Sequence, residues 1–240
     1  MPNIYYRDTY WHAAPHELLA KRPTLSRYPQ TIGFGSIMPN NGCIMERKGL
    51  VTRKTKETDI SAELTLDSIQ KSDINSGIAF FDHMLDSMSK HGRFRLRLSC
   101  TGDRNVDDHH SVEDIGIALG LALKQALGEK SGITRFSDVT IPMDDALTMV
   151  AIDLSGRPYY KYSGPELNGT IAVYEEELTD EFLRAFAMNA GINLHVTVWY
   201  GQNKHHVHET IFKALGIALF KAAQRDEMLK GGVPSTKGII

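Results

Sequence analysis

The 240-residue sequence contains only two cysteines, Cys43 and Cys100, and no apolar run that approaches bilayer-spanning length. The two thiols have no metal-ligand spacing and cannot build a disulfide framework, so a reducing compartment fits best. Without a spanning run, a membrane-embedded chain is not expected. Neither sign of charge is in excess, because 27 Lys and Arg face 29 Asp and Glu for a formal net charge of −2. That balance gives no general pull toward nucleic acid or an anionic membrane, although a local basic pocket for a small anion stays open. The opening residues, MPNIYYRDTYWHAAPHELLAKR, lack the unbroken apolar stretch of a secretory signal. A cytoplasmic protein is expected, with organellar import left open.

Hydrophobic residues make up 42% of the chain, enough for a packed core. The length suits one large domain or two small ones. Residues 1–49 are rich in Pro, Tyr and Asn without periodicity and read as an irregular extension. From Leu50 the pattern is regular. Val51 to Asp67 reads as one strand and Phe80 to His91 as a helix with Phe81, Met84, Leu85 and Met88 inward. Phe94, Leu96 and Leu98 alternate with arginines as in a half-buried strand, and Ser111 to Leu127 reads as a helix stopped by Gly128. Strands are expected at Asp138–Met143, Leu147–Leu154, around Tyr159–Tyr162 and at Ile192–Tyr200, with helices at Leu178–Asn189 and His206–Gln224. The fold class is α+β, with helices packed against mainly antiparallel sheets.

Eight of the ten histidines lie between His83 and His208. They expose an internal repeat. HHSVEDIGIALGLAL starts at His109 and HHVHETIFKALGIAL at His205, sharing the skeleton HHxxExxxxALGxAL 96 residues apart. The strands before them match in kind, and Gly92–Gly102 and Gly191–Gly201 have equal spacing. A duplicated β–α half explains this, with a first half over 50–130 and a second over 131–240.

The repeated element suits a metal. On a helix, residues three or four apart share a face, so Glu113 can meet His110 and His109, and Glu209 can meet His206 and His205. Imidazole and carboxylate without thiolate suit Mn, Fe, Co, Ni or Zn rather than Ca or Mg. Adjacent histidines cannot share one helical face, so one of each pair can project from the cap toward a different metal. His83, on an earlier helix, can complete a ligand set. His12, His16 and His195 read as hydrogen-bonded structural residues. His208 reads as incidental, because the first repeat has Val112 in its place.

Several long segments resemble the imidazoleglycerol-phosphate dehydratase family over nearly four-fifths of the chain, from about residue 50 onward. They are RKTKETDI, SGIAFFDHMLDSMSKHGRF, GDRNVDDHHSVEDIGIALG, ITRFSD, LSGRPY, AMNAGINLHVTVWYGQNKHHVHE and GVPSTKG. The resemblance implies two similar split βαβ (ferredoxin-like) halves with helices on one face of each sheet. It implies a homo-oligomer, typically a 24-mer, with active sites between subunits and two manganese ions in each. The reaction would convert imidazole glycerol phosphate to imidazole acetol phosphate and water, in histidine biosynthesis. The resemblance further implies metal-ligand roles for His83, His109, His110, Glu113, His205, His206 and Glu209. One position departs from the family, which usually has a histidine where this chain has Glu181. The repeat places Glu181 opposite His83 with a one-residue slip, so Glu181 is a candidate replacement ligand.

The same resemblance makes Glu57 the acid/base group and counts His83, Glu113 and Glu209 with it as the catalytic set. For the substrate and its phosphate it points to Glu57, His91, Arg135, Arg157, Lys213, Ser235, Thr236 and Lys237. Two other readings compete. A metal-dependent hydrolase of a phosphorylated small molecule explains the His/Glu clusters but not their matched pairing. A non-catalytic metal-binding protein needs no phosphate pocket and no nearby glutamate.

Overall fold

The computed structural model describes residues 46–238, so most of the expected irregular extension lies outside the described residues. The first half opens with strands β1 (Lys48–Lys54) and β2 (Thr58–Thr65), then β3 (Asp73–Asn75), helix α1 (Ala79–His91), β4 (Arg95–Gly102) and helix α2 (His109–Leu127). The second half opens with β5 (Phe136–Met143), β6 (Ala146–Asp153) and β7 (Tyr159–Ser163). A small hairpin, β8 (Thr170–Ile171) and β9 (Tyr174–Glu175), intervenes before helix α3 (Glu177–Ala190), β10 (Asn193–Tyr200) and helix α4 (Lys204–Ala223).

The duplication read from HHxxExxxxALGxAL is visible in the topology. The two four-stranded sheets have orders β1-β2-β4-β3 and β5-β6-β10-β7. In each, the first two pairings are antiparallel and the last is parallel. The parallel pair is bridged by α1 in one half and α3 in the other, which is a split βαβ unit. Strand alternation explains the layering, because Ala146, Thr148, Val150 and Ile152 of β6 are buried while their neighbours are half-buried. α2 lies on β1 and β2, α4 lies on β5 and β6, and the helices pair across the halves as α1 with α4 and α2 with α3. One apolar core, from Val51 to Ala223, fills the space between the sheets.

The glycine of the repeat skeleton explains how closely those helices pack. A Cβ at Gly216 of α4 would sit 2.2 Å from the Met88 carbonyl oxygen of α1, and one at Gly120 of α2 would sit 2.6 Å from the Phe186 oxygen of α3. Each helix start is also tied to its sheet by a repeat-related pair. Thr58 Oγ1 donates to Asp114 at 2.5 Å in the first half, and Thr148 and Thr210 hydroxyls meet at 2.8 Å in the second.

One expectation needs correction. Val51 to Asp67 is not a single strand but the hairpin β1–β2, paired Lys48↔Thr65 through Lys54↔Asp59. The turn contains no Gly, Pro or Asn. Instead the Thr55 hydroxyl accepts from the amides of Glu57 and Thr58 at 3.0 and 2.9 Å, a side-chain turn that leaves no strong breaker in the sequence. β3, β8 and β9 were not anticipated, being too short to carry a period. The other elements lie within a few residues of expectation.

Candidate active site and metal centres

The paired helices bring ligand-type side chains together twice. His83 of α1 meets His205 and Glu209 of α4, with His83 Nε2 3.7 Å and His205 Nε2 3.2 Å from Glu209 Oε2. His109 and Glu113 of α2 meet Glu181 of α3, with His109 Nε2 3.9 Å from Glu113 Oε2. Within each trio the three donor atoms lie inside 4.8 Å of one another. Both trios have one exposed and two half-buried members. The construction is the same in each: a His/Glu pair four apart on the repeat helix, plus the fifth residue of the helix packed against it. Counted from the helix start, His83 and Glu181 are both fifth. The apparent one-residue slip in the sequence arises because α3 is one residue longer than α1 before its terminal glycine.

The second histidine of each pair turns away from its own trio. His110 Nδ1 lies 3.1 Å from Asp103 Oδ2, and Glu57 Oε1 is 4.0 Å from its Nε2. His206 Nδ1 lies 2.6 Å from Asp145 Oδ1. A carboxylate on Nδ1 fixes the ring and points Nε2 outward, the usual arrangement around a metal-bound histidine, although His206 Nε2 also lies 3.5 Å from Asn203 Nδ2 and 3.7 Å from Asp144 Oδ2. The Asp103 hydrogen bond, together with the nearby Glu57 charge, holds His110 above its ordinary pKa. Asp145 is held well below the carboxylate range, first by the Asn203 amide and then by His206 and the Gln202 amide. Hairpin tips supply these groups in both halves: Glu57 sits at the β1–β2 turn and Asp145 at the β5–β6 turn. The Glu57 carbonyl accepts from the Asp103 amide at 3.0 Å, which seats that tip against the start of α2.

The donor sets fit divalent transition metals. The first trio offers two imidazoles and one carboxylate, the second one imidazole and two carboxylates, both without thiolate. Lys213 Nζ, 2.8 Å from Glu209 Oε1, takes the oxygen turned from the trio. Burial pushes Glu209 upward, but Lys213 and the neighbouring histidines outweigh it, so its pKa is lowered and the carboxylate is ionised. Glu181 differs, because Arg184 pairs with both of its oxygens. A metal at the second trio therefore competes with a guanidinium for this carboxylate.

The remaining predicted groups separate into two places. His91 at the end of α1 is near Lys213, and burial followed by that positive charge lowers its pKa. Arg135, Arg157, Ser235, Thr236 and Lys237 line a separate cavity of about 590 Å³ with Phe136, Leu229, Val233 and Pro234. Arg135 is committed there: Nε donates to Asp153 at 2.7 Å and Nη1 to the Pro234 carbonyl at 2.7 Å. It positions the terminal loop, while Arg157 and Lys237 have no ion pair among the described residues. Ser235 Oγ accepts from the Lys237 amide at 3.2 Å, shaping the turn. The Arg135 amide donates to Ala222 at the far end of α4. About 17 residues separate that point from His205, or roughly 25 Å along the helix.

Known proteins carry the same signature. The family model described as imidazoleglycerol-phosphate dehydratase matches residues 76–219. A relative of that name from Acetivibrio thermocellus is 50% identical over 196 residues, covering 82% of this chain and all of the relative. One from Caldanaerobacter subterraneus is 51% identical over 194 residues, again covering the whole relative. The chain belongs to the imidazoleglycerol-phosphate dehydratase family. Two solved members share its fold. The Staphylococcus aureus enzyme superposes with a TM-score of 0.68 at 33% identity, covering 74% of this chain and 99% of that one. The Pyrococcus furiosus enzyme, solved in complex with (S)-C348, has a TM-score of 0.68 at 36% identity, covering 79% of this chain and 100% of that one. The family's split βαβ halves are therefore the fold of this chain.

Asp103, Asp145 and Asp114 were not singled out from the sequence. GDRNVDDHH offers Asp103, Asp107 and Asp108 before the histidines, and only folding shows that Asp103 reaches His110. His208, set aside as incidental, is 0% exposed and hydrogen-bonded on both ring nitrogens. Burial lowers its pKa.

Proposed function

We propose that the chain is a metal-dependent hydro-lyase that converts imidazole glycerol phosphate to imidazole acetol phosphate and water in histidine biosynthesis. The observation that carries this reading is the pair of repeat-related trios, His83–His205–Glu209 and His109–Glu113–Glu181, within a chain of the dehydratase family. His110 and His206 complete the donor set. Two manganese ions per active site fit it, and when bound they supply Lewis-acid polarisation of the substrate's ring nitrogens.

The protein groups supply the rest. Glu57 is half-exposed at its hairpin tip beside His110 and is placed to take the carbon-bound proton next to the ring. Departure of hydroxide from the neighbouring carbon, with that proton, makes up the released water. The enol left behind tautomerises to the ketone. His91, with its pKa lowered, stays neutral at pH 7 and can accept from a substrate hydroxyl. Lys213, Arg157, Lys237, Ser235 and Thr236 offer cationic and hydroxyl donors for the phosphate, with Arg135 holding the loop that carries the last three.

A small substrate cannot touch both the His205 end and the Arg135 end of α4 in one chain. Active sites assembled between subunits of a homo-oligomer, a 24-mer as in the family resemblance, resolve this, and the His110 and His206 rings, turned away from their own trios, suit such sharing. No helix among the described residues is long and apolar enough to cross a membrane, which accords with a cytoplasmic enzyme. The test is direct. The purified protein with Mn²⁺ and imidazole glycerol phosphate should form the ketone without releasing inorganic phosphate. Phosphate release would favour a hydrolase, and neither product with metal demonstrably bound would leave a metal-binding protein.

A further inference from the structure

A buried polar network ties the start of α3 to α4, beside the residues of both trios on those helices. His208 of α4 lies between Thr179 and Glu176 at the start of α3, with Nδ1 2.8 Å from Thr179 Oγ1 and Nε2 3.2 Å from Glu176 Oε2. Tyr174 Oη is 2.9 Å from Thr179 Oγ1, and Lys204 of α4 pairs with the other Glu176 oxygen. His208, Thr179, Glu176 and Tyr174 are all buried.

The donors and acceptors fix one arrangement. The Glu176 carboxylate can only accept, so His208 Nε2 carries the proton and donates to it. Nδ1 is then left to accept from the Thr179 hydroxyl, whose oxygen accepts from Tyr174. Each polar atom in the chain has a partner, and the Glu176 charge is matched by Lys204. His208 also packs edge-on against Phe80 of α1, three residues before His83, with ring centroids 6.0 Å apart. One side chain therefore touches the starts of three helices. These carry His83, Glu181 and the His205/Glu209 pair. The first repeat has Val112 in the matching place, so the network belongs to the second half alone, the half whose own α3 bears Glu181.

We propose that His208 is a positioning residue that locks the start of α3 to α4 and so sets the placement of Glu181 in the second trio, with His109 and Glu113 of α2. This rests on the reading of Glu181 as a metal ligand. His208→Val tests it, since Val fills the matching position of the first repeat while removing both hydrogen bonds. Two readouts are taken on the full-length assembled protein. Amide hydrogen exchange over Glu177–Glu181 should speed at least tenfold in H208V, with α2 unchanged. Mn²⁺ titration followed by electron paramagnetic resonance should show the second equivalent weakened about tenfold, the first unchanged, as expected when a ligand's support is removed. His208→Gln, which can still donate to Glu176, should be intermediate in both.

Unchanged exchange at the start of α3 overturns the proposal whatever the metals do. Faster exchange with both Mn²⁺ affinities unchanged overturns the link to Glu181. Where H208V does not fold, Thr179→Val removes the Thr179 link while conserving shape and carries the same two readouts. Wild type binding no second Mn²⁺ would instead count against Glu181 as a ligand, and the exchange result stays separate from that.

Discussion

Gly216→Ala is the substitution whose cost can be worked most directly from the structure. A Cβ at this position meets the Met88 carbonyl oxygen at 2.2 Å, its carbon at 3.0 Å and the Gly92 amide nitrogen at 3.1 Å. All three are backbone atoms at the end of α1, so no side chain can rotate away. Ordinary contact requires α1 and α4 to part by about 1 Å, which removes dispersion along their shared surface. Overpacking of this kind costs roughly 1–3 kcal/mol and more where backbone must move, against about 1 kcal/mol returned by alanine's better helix propensity. Because only backbone atoms oppose the new Cβ, the upper end of that range applies, so a net loss of about 2 kcal/mol is expected, or roughly 4–8 °C in Tm for a chain of this size. The same parting pulls His83 from His205 and Glu209. Gly120→Ala should do the equivalent to α2 and α3, where the Phe186 oxygen is 2.6 Å and the Ala190 nitrogen 2.9 Å from the new Cβ. Thermal unfolding with Mn²⁺ titration reads both effects. Each variant should melt early and weaken the metal of its own trio only. Melting within about 1 °C of wild type, with both metals bound normally, would refute the argument that these glycines set the ligand spacing.

Three other outcomes follow from the geometry. Asp103→Ala frees the His110 ring and should weaken the metal that uses His110 about 10–100-fold by equilibrium dialysis, with little change in Tm. Asp145→Asn tests a depressed carboxyl: a lowered folded pKa stabilises above the unfolded value near 4 and is lost as pH falls below it, so the wild-type advantage in urea midpoint should be full at pH 6 and shrink below pH 4. A difference constant from pH 3 to 7 would contradict that assignment. Arg157→Ala should raise KM about tenfold with kcat nearly unchanged if it holds the phosphate in ground and transition state alike; an unchanged KM removes it from the pocket.

Much of this was legible because duplication writes the same message twice. His109, Glu113, His205 and Glu209 stand at equal offsets on amphipathic helices, so their meeting follows from helical periodicity alone. Which histidine of each pair joins its own trio did not, because that depends on Asp103 and Asp145 taking the other ring. Glu57 was placed on one long strand because Thr55 makes the turn with a hydroxyl rather than with glycine. Arg135 looked like a free phosphate fork, and the structure ties it to Asp153 and Pro234. His208 looked incidental because the first repeat has Val112 in its place; its hydrogen bonds depend on Glu176 and Thr179, residues of a junction whose path the sequence pattern does not specify.

The central claim is that the duplicated element holds two metals, one per trio. Anomalous diffraction at the manganese edge from crystals grown with Mn²⁺ tests it most directly. Two peaks per chain are expected, one within coordination distance of His83, His205 and Glu209 and the other of His109, Glu113 and Glu181. A single peak at the first trio, with Arg184 still closed on Glu181, would contradict it.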